Sequence, residues 1–437
     1  MGASLHGIVW PAVASPTPAA ALAIVEELER TQWWEPAELA RQQQQQLASL
    51  LAHAVASVPF YRGLVPGRVP ITTRAQLAGA GDALLSRAYP ATHGAAPEVF
   101  TSRTSGQPVR VRGTGVIGAL QAAITLRDHR WHRRDLRASL AAIRYAPTAV
   151  PPDGAVARGW GAATAQLAPD APSAVLSVTG TSTDEQLAWL VRRDPAYLLV
   201  YPSVLDALLR RIAQTGVRLP GLREVRTVGE RLPPTTRTRC REVLGVPLVD
   251  TYSAQEVGYI ALQCPEHAHY HVQSERLLVE ILQDDETPCD PGEVGRVVLT
   301  DLHNFATPII RYDIGDLAEV GGPCPCGRTL PVLARIIGRT RELVRFPDGR
   351  TMYPTFTIAC REAARYRELQ LVQVSRTTLR ARVVPDPDAV LDREALIAAL
   401  HRAFGYPFAV EIELVDEIAR TPAGKLQEFR AELPDEA

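Results

Sequence analysis

Residues 183–230 read TDEQLAWLVRRDPAYLLVYPSVLDALLRRIAQTGVRLPGLREVRTVGE. The stretch opens on an acidic turn, Asp184-Glu185, runs through an amphipathic segment and stops at Pro195. A compact apolar run, AYLLVYPS, follows, then a second amphipathic segment, SVLDALLRRIAQTG, and another short apolar run, LREVRTVGE. Acidic residues favour a helix start, and proline and glycine mark the stops. Helical segments alternating with short apolar strands imply crossover units, and hence a largely parallel sheet covered by helices.

The same alternation begins near residue 115 and reaches the run VPLVD, which ends at Asp250. Between roughly 270 and 345 the pattern turns strand-rich (RLLVEILQ, GEVGRVVLTDL, IIRYDIGDLAEV, ELVRFPDG), and its frequent Gly and Pro predict antiparallel pairing. In the last part LQLVQVSRTTLRARVVP reads as two strands around a turn, LDREALIAALHRAFG as a helix and FAVEIELVDEI as a third strand. The fold class is therefore α/β. A large N-terminal domain, residues 1–338, carries helix-covered sheets and a strand-rich subdomain, and a small α+β C-terminal domain covers 339–437. Upstream, residues 20–60 read as helical with a break at Pro36. Leu39, Leu47, Leu50, Leu51, Ala54 and Val55 recur mostly at three- and four-residue steps, which puts the run Gln42–Gln46 mostly on exposed turns.

The bulk numbers exclude several classes. A chain of 437 residues is too long for one small core. Apolar residues at 46% and charged residues at 22% are ordinary for a globular protein. A net charge of -1 gives no global attraction to nucleic acid or to an anionic membrane. No stretch approaches the run of about 20 apolar residues that spans a bilayer. The first residues have no basic region, and Glu26, Glu27 and Glu29 soon interrupt them, which argues against a secretory leader. The Met-Gly start lacks the Ser or Thr of a myristoylation signal. The expected setting is cytoplasmic, with no membrane and no nucleic acid as partner. Six cysteines are too few for a disulfide scaffold, and Cys240, Cys289 and Cys360 read as isolated thiols.

Four stretches carry chemistry. Thr101-Ser102-Arg103-Thr104-Ser105-Gly106-Gln107-Pro108 offers hydroxyls and backbone N–H groups to one point, as a phosphate requires, although hydroxyl-rich turns are common in loops. Asp250-Thr251-Tyr252-Ser253-Ala254-Gln255-Glu256-Val257-Gly258 places a tyrosine able to stack on a purine four residues before a carboxylate able to hold Mg²⁺. An ordinary strand-to-helix loop would read the same way. Arg311-Tyr312-Asp313-Ile314-Gly315-Asp316 offers a carboxylate for the hydroxyls of a ribose, or a hairpin turn. Arg420-Thr421-Pro422-Ala423-Gly424-Lys425 sets a lysine on a glycine-containing loop, where it could offset charge developing on a reacting carboxylate, or simply face solvent.

In this order the motifs resemble the adenylate-forming (acyl-CoA synthetase) superfamily. Leu51-Ala52-His53-Ala54, Val58-Pro59-Phe60-Tyr61-Arg62, Tyr201-Pro202-Ser203 and Val228-Gly229-Glu230 are similar to signatures of its phenylacetate–CoA ligase-like branch. So are Gly292-Glu293-Val294-Gly295, Cys324-Pro325-Cys326-Gly327-Arg328 and Ile337-Gly338-Arg339. The resemblance runs from about residue 47 to 430. It implies that Thr104, Ser105 and Gly106 contact the ATP phosphates, and that Gly229 and Glu230 line the nucleotide pocket. It further implies that Tyr252 faces the adenine, Glu256 binds Mg²⁺, Asp316 holds the ribose with Arg339, and Lys425 drives adenylation. Tyr201, Pro202 and Ser203 would lie near an acid that the family makes aromatic, and the C-terminal domain would swing about a hinge beside Arg339 to Glu342.

Arg103, Gln107, Gln255 and Arg341 depart from the family pattern. The acyl acceptor is thus open between coenzyme A and an amine, a hydroxyl or a carrier-protein thiol. Upstream of Cys324 and Cys326 stands Cys264-Pro-Glu-His267-Ala-His269-Tyr-His271, and two such separated pieces can complete a closed Zn²⁺ site. Relatives of this branch make His271 the best-placed imidazole, giving Cys264, His271, Cys324 and Cys326 as the expected ligands, with His267 and His269 as alternatives. The expected protein is an AMP-forming acid–thiol ligase using ATP, Mg²⁺ and coenzyme A on a small carboxylic acid, with a homodimer as the base-rate assembly. A non-catalytic nucleotide-binding scaffold is the rival from another class. A Gly-x-Ser-x-Gly hydrolase elbow is absent.

Overall fold

A computed structural model of the chain describes residues 3–65, 67–95, 98–100, 109–146, 150–354, 356–386, 389–421 and 426–433. Among them the main sheet has twelve strands. Across the sheet they run Leu277–Leu282, Val294–Asp301, Tyr312–Val320, Val332–Arg339, Tyr270–Val272, Gly258–Gln263, Leu248–Ala254, Glu224–Val228, Tyr197–Val200, Leu140–Arg144, Pro172–Ser177 and Ala155–Arg158. The five strands from Leu248–Ala254 to Pro172–Ser177 are parallel, as the helix–strand alternation predicts. Antiparallel pairs flank them, including Leu277–Leu282 with Val294–Asp301 in the strand-rich stretch.

The helices between the parallel strands follow from local sequence. Ser182 caps Thr183–Arg193 through a capping box with Glu185. Pro202 stands in the first turn of Pro202–Thr215 and Pro234 in that of Pro234–Leu244, where a missing N–H costs nothing. These three helices pack side by side over a core that includes Leu190, Leu205, Leu209 and Val225. A separate core, with Ile24, Leu28, Leu120 and Ile260, lies where Ala21–Thr31 packs on Gly115–Trp131.

Two residues of the glutamine run depart from the exposed face expected for most of it. Gln43 and Gln46 are buried in the helix Pro36–Ser57. The Gln46 amide oxygen accepts from the backbone N–H groups of Val9 and Trp10 at 2.6 and 3.2 Å, and its nitrogen donates to the Leu302 carbonyl at 3.0 Å. Gln43 donates to the carbonyls of Ser274 and Leu277. Irregular backbone packed over a helix needs partners for its polar groups, and two of the glutamines supply them.

Contacts divide the chain into two units, Met1–Ile314 with Ala318–Ile336, and Gly315–Leu317 with Ile337–Ala437. Within the smaller unit the sheet order is Ala409–Leu414, Thr378–Pro385, Tyr366–Ser375, Phe429–Ala431. Helices Thr357–Ala364 and Arg393–Phe404 accompany a core that contains Phe346, Leu371, Leu400, Phe404 and Phe408.

In the larger unit a charged cluster is fully buried between Gly115–Trp131, the turn that follows it and the strand Glu224–Val228. The Asp128 carboxylate accepts from Arg134 at 2.5 Å and Arg226 at 2.8 Å, and Arg134 also pairs with Glu224 at 2.6 Å. Burial pushes the Asp128 carboxyl up, but Arg134 and Arg226 outweigh it and hold the group well below the usual range. Burial also depresses the neighbouring histidines, His129 well below its ordinary value and His132 to about 4. An unfolded histidine binds its proton near about 6.5. The unfolded chain thus carries more protons between pH 6.5 and 4, so stability is fully present above this window and is lost as the pH falls through it. The melting temperature is expected to drop across this window, with His132 contributing up to roughly 3 kcal/mol. Thermal melts in a pH series check this, and a flat profile down to pH 4 would contradict it.

Candidate functional site

Three of the sequence-predicted stretches meet because of strand order. The chain leaves Leu140–Arg144 toward Pro172–Ser177 on one side and leaves Tyr197–Val200 toward Glu224–Val228 on the other. Connections diverge at the carboxyl ends of these strands, the place where α/β sheets generally bind ligands. Tyr201 follows Val200 directly, and Val200 is level with Thr227, which precedes Val228-Gly229-Glu230. Val228 is level with Thr251, next to Tyr252. Tyr201–Ser203, Gly229–Glu230 and Tyr252–Glu256 therefore project from one end of three adjacent parallel strands.

Each is held in place. The Tyr145 backbone N–H donates to the Tyr201 hydroxyl at 3.3 Å, and burial raises that phenol above its ordinary range. The Glu230 carboxylate receives the Ser203 N–H at 2.9 Å and the Ser203 hydroxyl at 3.1 Å. Behind Tyr252, buried Asp250 accepts from the Thr227 and Tyr270 hydroxyls, each at 2.6 Å. Burial raises the Asp250 carboxyl, and those two hydrogen bonds oppose the shift.

The Glu256 side chain is 5% exposed and pairs with Arg74 at 2.7 Å. Arg74 opens the helix Arg74–Ala80, which Thr73 and Gln76 cap reciprocally. The preceding Thr72 exchanges backbone hydrogen bonds with Arg311 and Asp313. Sequence reading passed over Arg74, because no spacing links it to a carboxylate 182 residues away. Gly258 takes φ +74°, a left-handed conformation that favours glycine.

Thr104, Ser105 and Gly106 lie outside the described residues, as does Lys425. The strands on either side of the first loop, Glu98–Phe100 and Arg110–Arg112, pair antiparallel, and Glu98 is bonded to Arg110 and Arg112. In the smaller unit the Asp316 carboxylate pairs with Arg339 at 3.1 Å. Gly338 beside it has φ +136°, and a Cβ there would meet the Tyr353 ring at 2.0 Å.

The cysteines form a second centre. Donor atoms of Cys264, His271, Cys324 and Cys326 all lie within 4.8 Å of one another. The Cys264 and Cys324 sulfurs are 3.7 Å apart, and the Cys326 sulfur is 3.5 Å from His271 Nε2. Tetrahedral zinc, with bonds of about 2.3 Å to sulfur and about 2.0 Å to nitrogen, separates its donors by roughly 3.5–3.8 Å, so this donor set fits the ion. His269 Nε2 lies only 2.9 Å from the Cys324 sulfur, the distance of a hydrogen-bond partner to that ligand. Burial pushes the Cys324 thiol up to about 12 and His271 down to about 4. For Cys326, burial is outweighed by hydrogen bonds, those from Arg328 first, and its thiol is held below the ordinary value.

The same hairpin is strapped to the N-terminal helices. The Arg328 guanidinium lies 5.0 Å from the Trp33 ring and 4.6 Å from the Trp131 ring. Gln32 accepts from Arg328 and from the Trp131 indole, and Trp131 meets His271 edge-on at 5.6 Å.

No protein-family model matches the chain. It is 29% identical to a phenylacetate-coenzyme A ligase of Thermus thermophilus over 188 residues, 41% of this chain and 42% of that protein. To the phenylacetate-coenzyme A ligase of Escherichia coli it is 27% identical over 179 residues, 39% and 40% of the two chains. The chain thus matches about two fifths of the length of these curated relatives. Among solved structures, a 2-hydroxyisobutyryl-CoA ligase in the postadenylation state superposes with a TM-score of 0.70 at 20% identity, covering 92% of each chain. The fold is that of the adenylate-forming ligases, and the sequence likeness bears out the resemblance to their phenylacetate–CoA ligase-like branch.

Proposed function

We propose that the chain is an AMP-forming acid–thiol ligase. It would convert a small carboxylic acid, aromatic by the family resemblance, and ATP into acyl-AMP and pyrophosphate, then pass the acyl group to the thiol of coenzyme A. The observation that carries this reading is the convergence of Tyr201–Ser203, Gly229–Glu230 and Tyr252–Glu256 at the carboxyl ends of three adjacent parallel strands. Such a crevice suits a nucleotide beside an acid.

The roles follow from chemistry and from the resemblance. Tyr252 would stack on the adenine, Gly229 and Glu230 would line its pocket, and Tyr201, Pro202 and Ser203 would face the acid. Thr104, Ser105 and Gly106 would contact the phosphates, and Asp316 with Arg339 would hold the ribose. Glu256 is the carboxylate suited to Mg²⁺, which offsets phosphate charge when bound. Arg74 keeps that buried carboxylate matched until then, since an unpaired one would be costly. Lys425 would stabilise charge developing as the acid attacks the α-phosphate. No side-chain nucleophile is required, because positioning and electrostatic stabilisation supply the catalysis. Residues 339–437 would act as the mobile domain that serves the two half-reactions in turn.

Zinc, held by Cys264, His271, Cys324 and Cys326, would be structural, since four protein ligands leave no open position. It would fasten the hairpin of Cys324 and Cys326 to the strand Tyr270–Val272, and through Arg328 to the corner at Gln32. A cytoplasmic setting, where thiols stay reduced, suits this centre.

A panel of aryl and aliphatic acids with ATP and Mg²⁺, run with and without coenzyme A, tests the activity. Acid-dependent pyrophosphate release and an acyl-CoA product are expected. Release without a thioester would replace coenzyme A by an amine, a hydroxyl or a carrier thiol. Silence from folded, ATP-binding protein would overturn the reading in favour of a non-catalytic scaffold. Lys425→Ala is expected to cut adenylation by about 10²-fold or more while leaving ATP affinity nearly unchanged; undiminished pyrophosphate release would remove Lys425 from the mechanism.

Metal analysis of protein purified without an affinity tag should find close to one zinc per chain. Cys326→Ser should lower both the zinc content and the melting temperature. Protein essentially free of zinc would refute the centre.

A further inference from the structure

The helix Pro202–Thr215 starts without a cap from its own residues: Tyr201 stands at the N-cap position and provides no side-chain hydrogen bond. The cap comes from elsewhere in the chain. Glu230, 27 residues on, accepts the Ser203 backbone N–H on one carboxylate oxygen and the Ser203 hydroxyl on the other. A carboxylate at this place also meets the positive end of the helix dipole. Glu230 sits in the turn that follows the strand Glu224–Val228, where Gly229 takes φ +83°. That strand is fixed by the buried pairs of Glu224 and Arg226, so the turn rises from a rigid base.

Tyr201 lies immediately before this capped turn, with its hydroxyl bound to the Tyr145 N–H. One carboxylate therefore links the Gly229–Glu230 turn to the element that carries Tyr201, Pro202 and Ser203. A displacement of the turn by a fraction of an ångström would lengthen two hydrogen bonds and loosen the first turn of the helix.

We infer that Glu230 and Ser203 are positioning residues that couple the two halves of the crevice, so that a nucleotide seated beside Gly229–Glu230 sets the order of the acid-facing segment Tyr201–Ser203. The inference rests on the function proposed above and adds a specific linkage to it. Binding at one half changes affinity at the other by the same factor, because coupling free energies are reciprocal. ATP thereby prepares the acid site before the acid arrives.

Hydrogen exchange with ATP·Mg²⁺ alone as the probe tests the linkage without a known acid. In the unmodified protein ATP should slow exchange both at residues 228–231 and in the first turn after Tyr201. Glu230→Gln should abolish the second protection, Ser203→Ala should weaken it, and Ser203→Thr, which keeps the hydroxyl, should restore it. The loss should be roughly fivefold to tenfold, the worth of a helix cap. With an acid substrate in hand, Ser203→Ala should raise the KM for the acid at saturating ATP by a similar factor and, reciprocally, the KM for ATP at saturating acid, while leaving the affinity for ATP alone in place. A purely structural cap would instead shift the melting temperature and leave the ATP response intact. Protection after Tyr201 that survives in both Glu230→Gln and Ser203→Ala overturns the coupling alone. Absence of ATP protection at 228–231 in the unmodified protein overturns the nucleotide site and the coupling together.

Discussion

Asp128, Arg134 and Arg226 are buried together between the helix Gly115–Trp131 and the strand Glu224–Val228. Removing any one would leave a charge without its partner in the interior, a loss of about 3–5 kcal/mol in comparable buried pairs. The cluster therefore fixes where that strand lies against the helix. The strand ends in Gly229–Glu230, Glu230 caps the helix that begins after Tyr201, and the next strand delivers Tyr252. One charged cluster in the core thus fixes the base on which the crevice is built.

The side chains at these strand ends are held by hydrogen bonds and ion pairs, Tyr201 by Tyr145 and Glu230 by Ser203. Glu256 illustrates the principle: its carboxylate is buried yet matched by Arg74. The cysteine cluster forms a separate junction. It joins the strand Tyr270–Val272 to the hairpin of Cys324 and Cys326, and Arg328 between two indole rings extends the junction to the N-terminal helices.

Much of this was legible in the sequence because it rests on local rules. Alternating segments with acidic starts and proline or glycine stops gave the parallel sheet, and Pro36 marked a helix start. Strand-rich patterning after residue 270 gave antiparallel pairs. What escaped depends on contacts between distant segments. Gln43 and Gln46 have the polarity of a solvated face, and only the backbone packed over them makes them internal partners. The second imidazole at the cysteines, His269 beside Cys324, likewise depends on the pairing that brings residues 264–272 against the Cys324 turn. The capping of one helix by Glu230 carries no local signature at all, since the cap and the helix start belong to different crossover units.

Isotope exchange between labelled pyrophosphate and ATP, in the presence of Mg²⁺ and a carboxylic acid and with no acyl acceptor, tests the central claim most directly. It reports reversible formation of acyl-AMP within the crevice and nothing downstream. The account predicts acid-dependent appearance of label in ATP, abolished when the acid is omitted. Label that never enters ATP with any acid, from protein that binds the nucleotide, would contradict it.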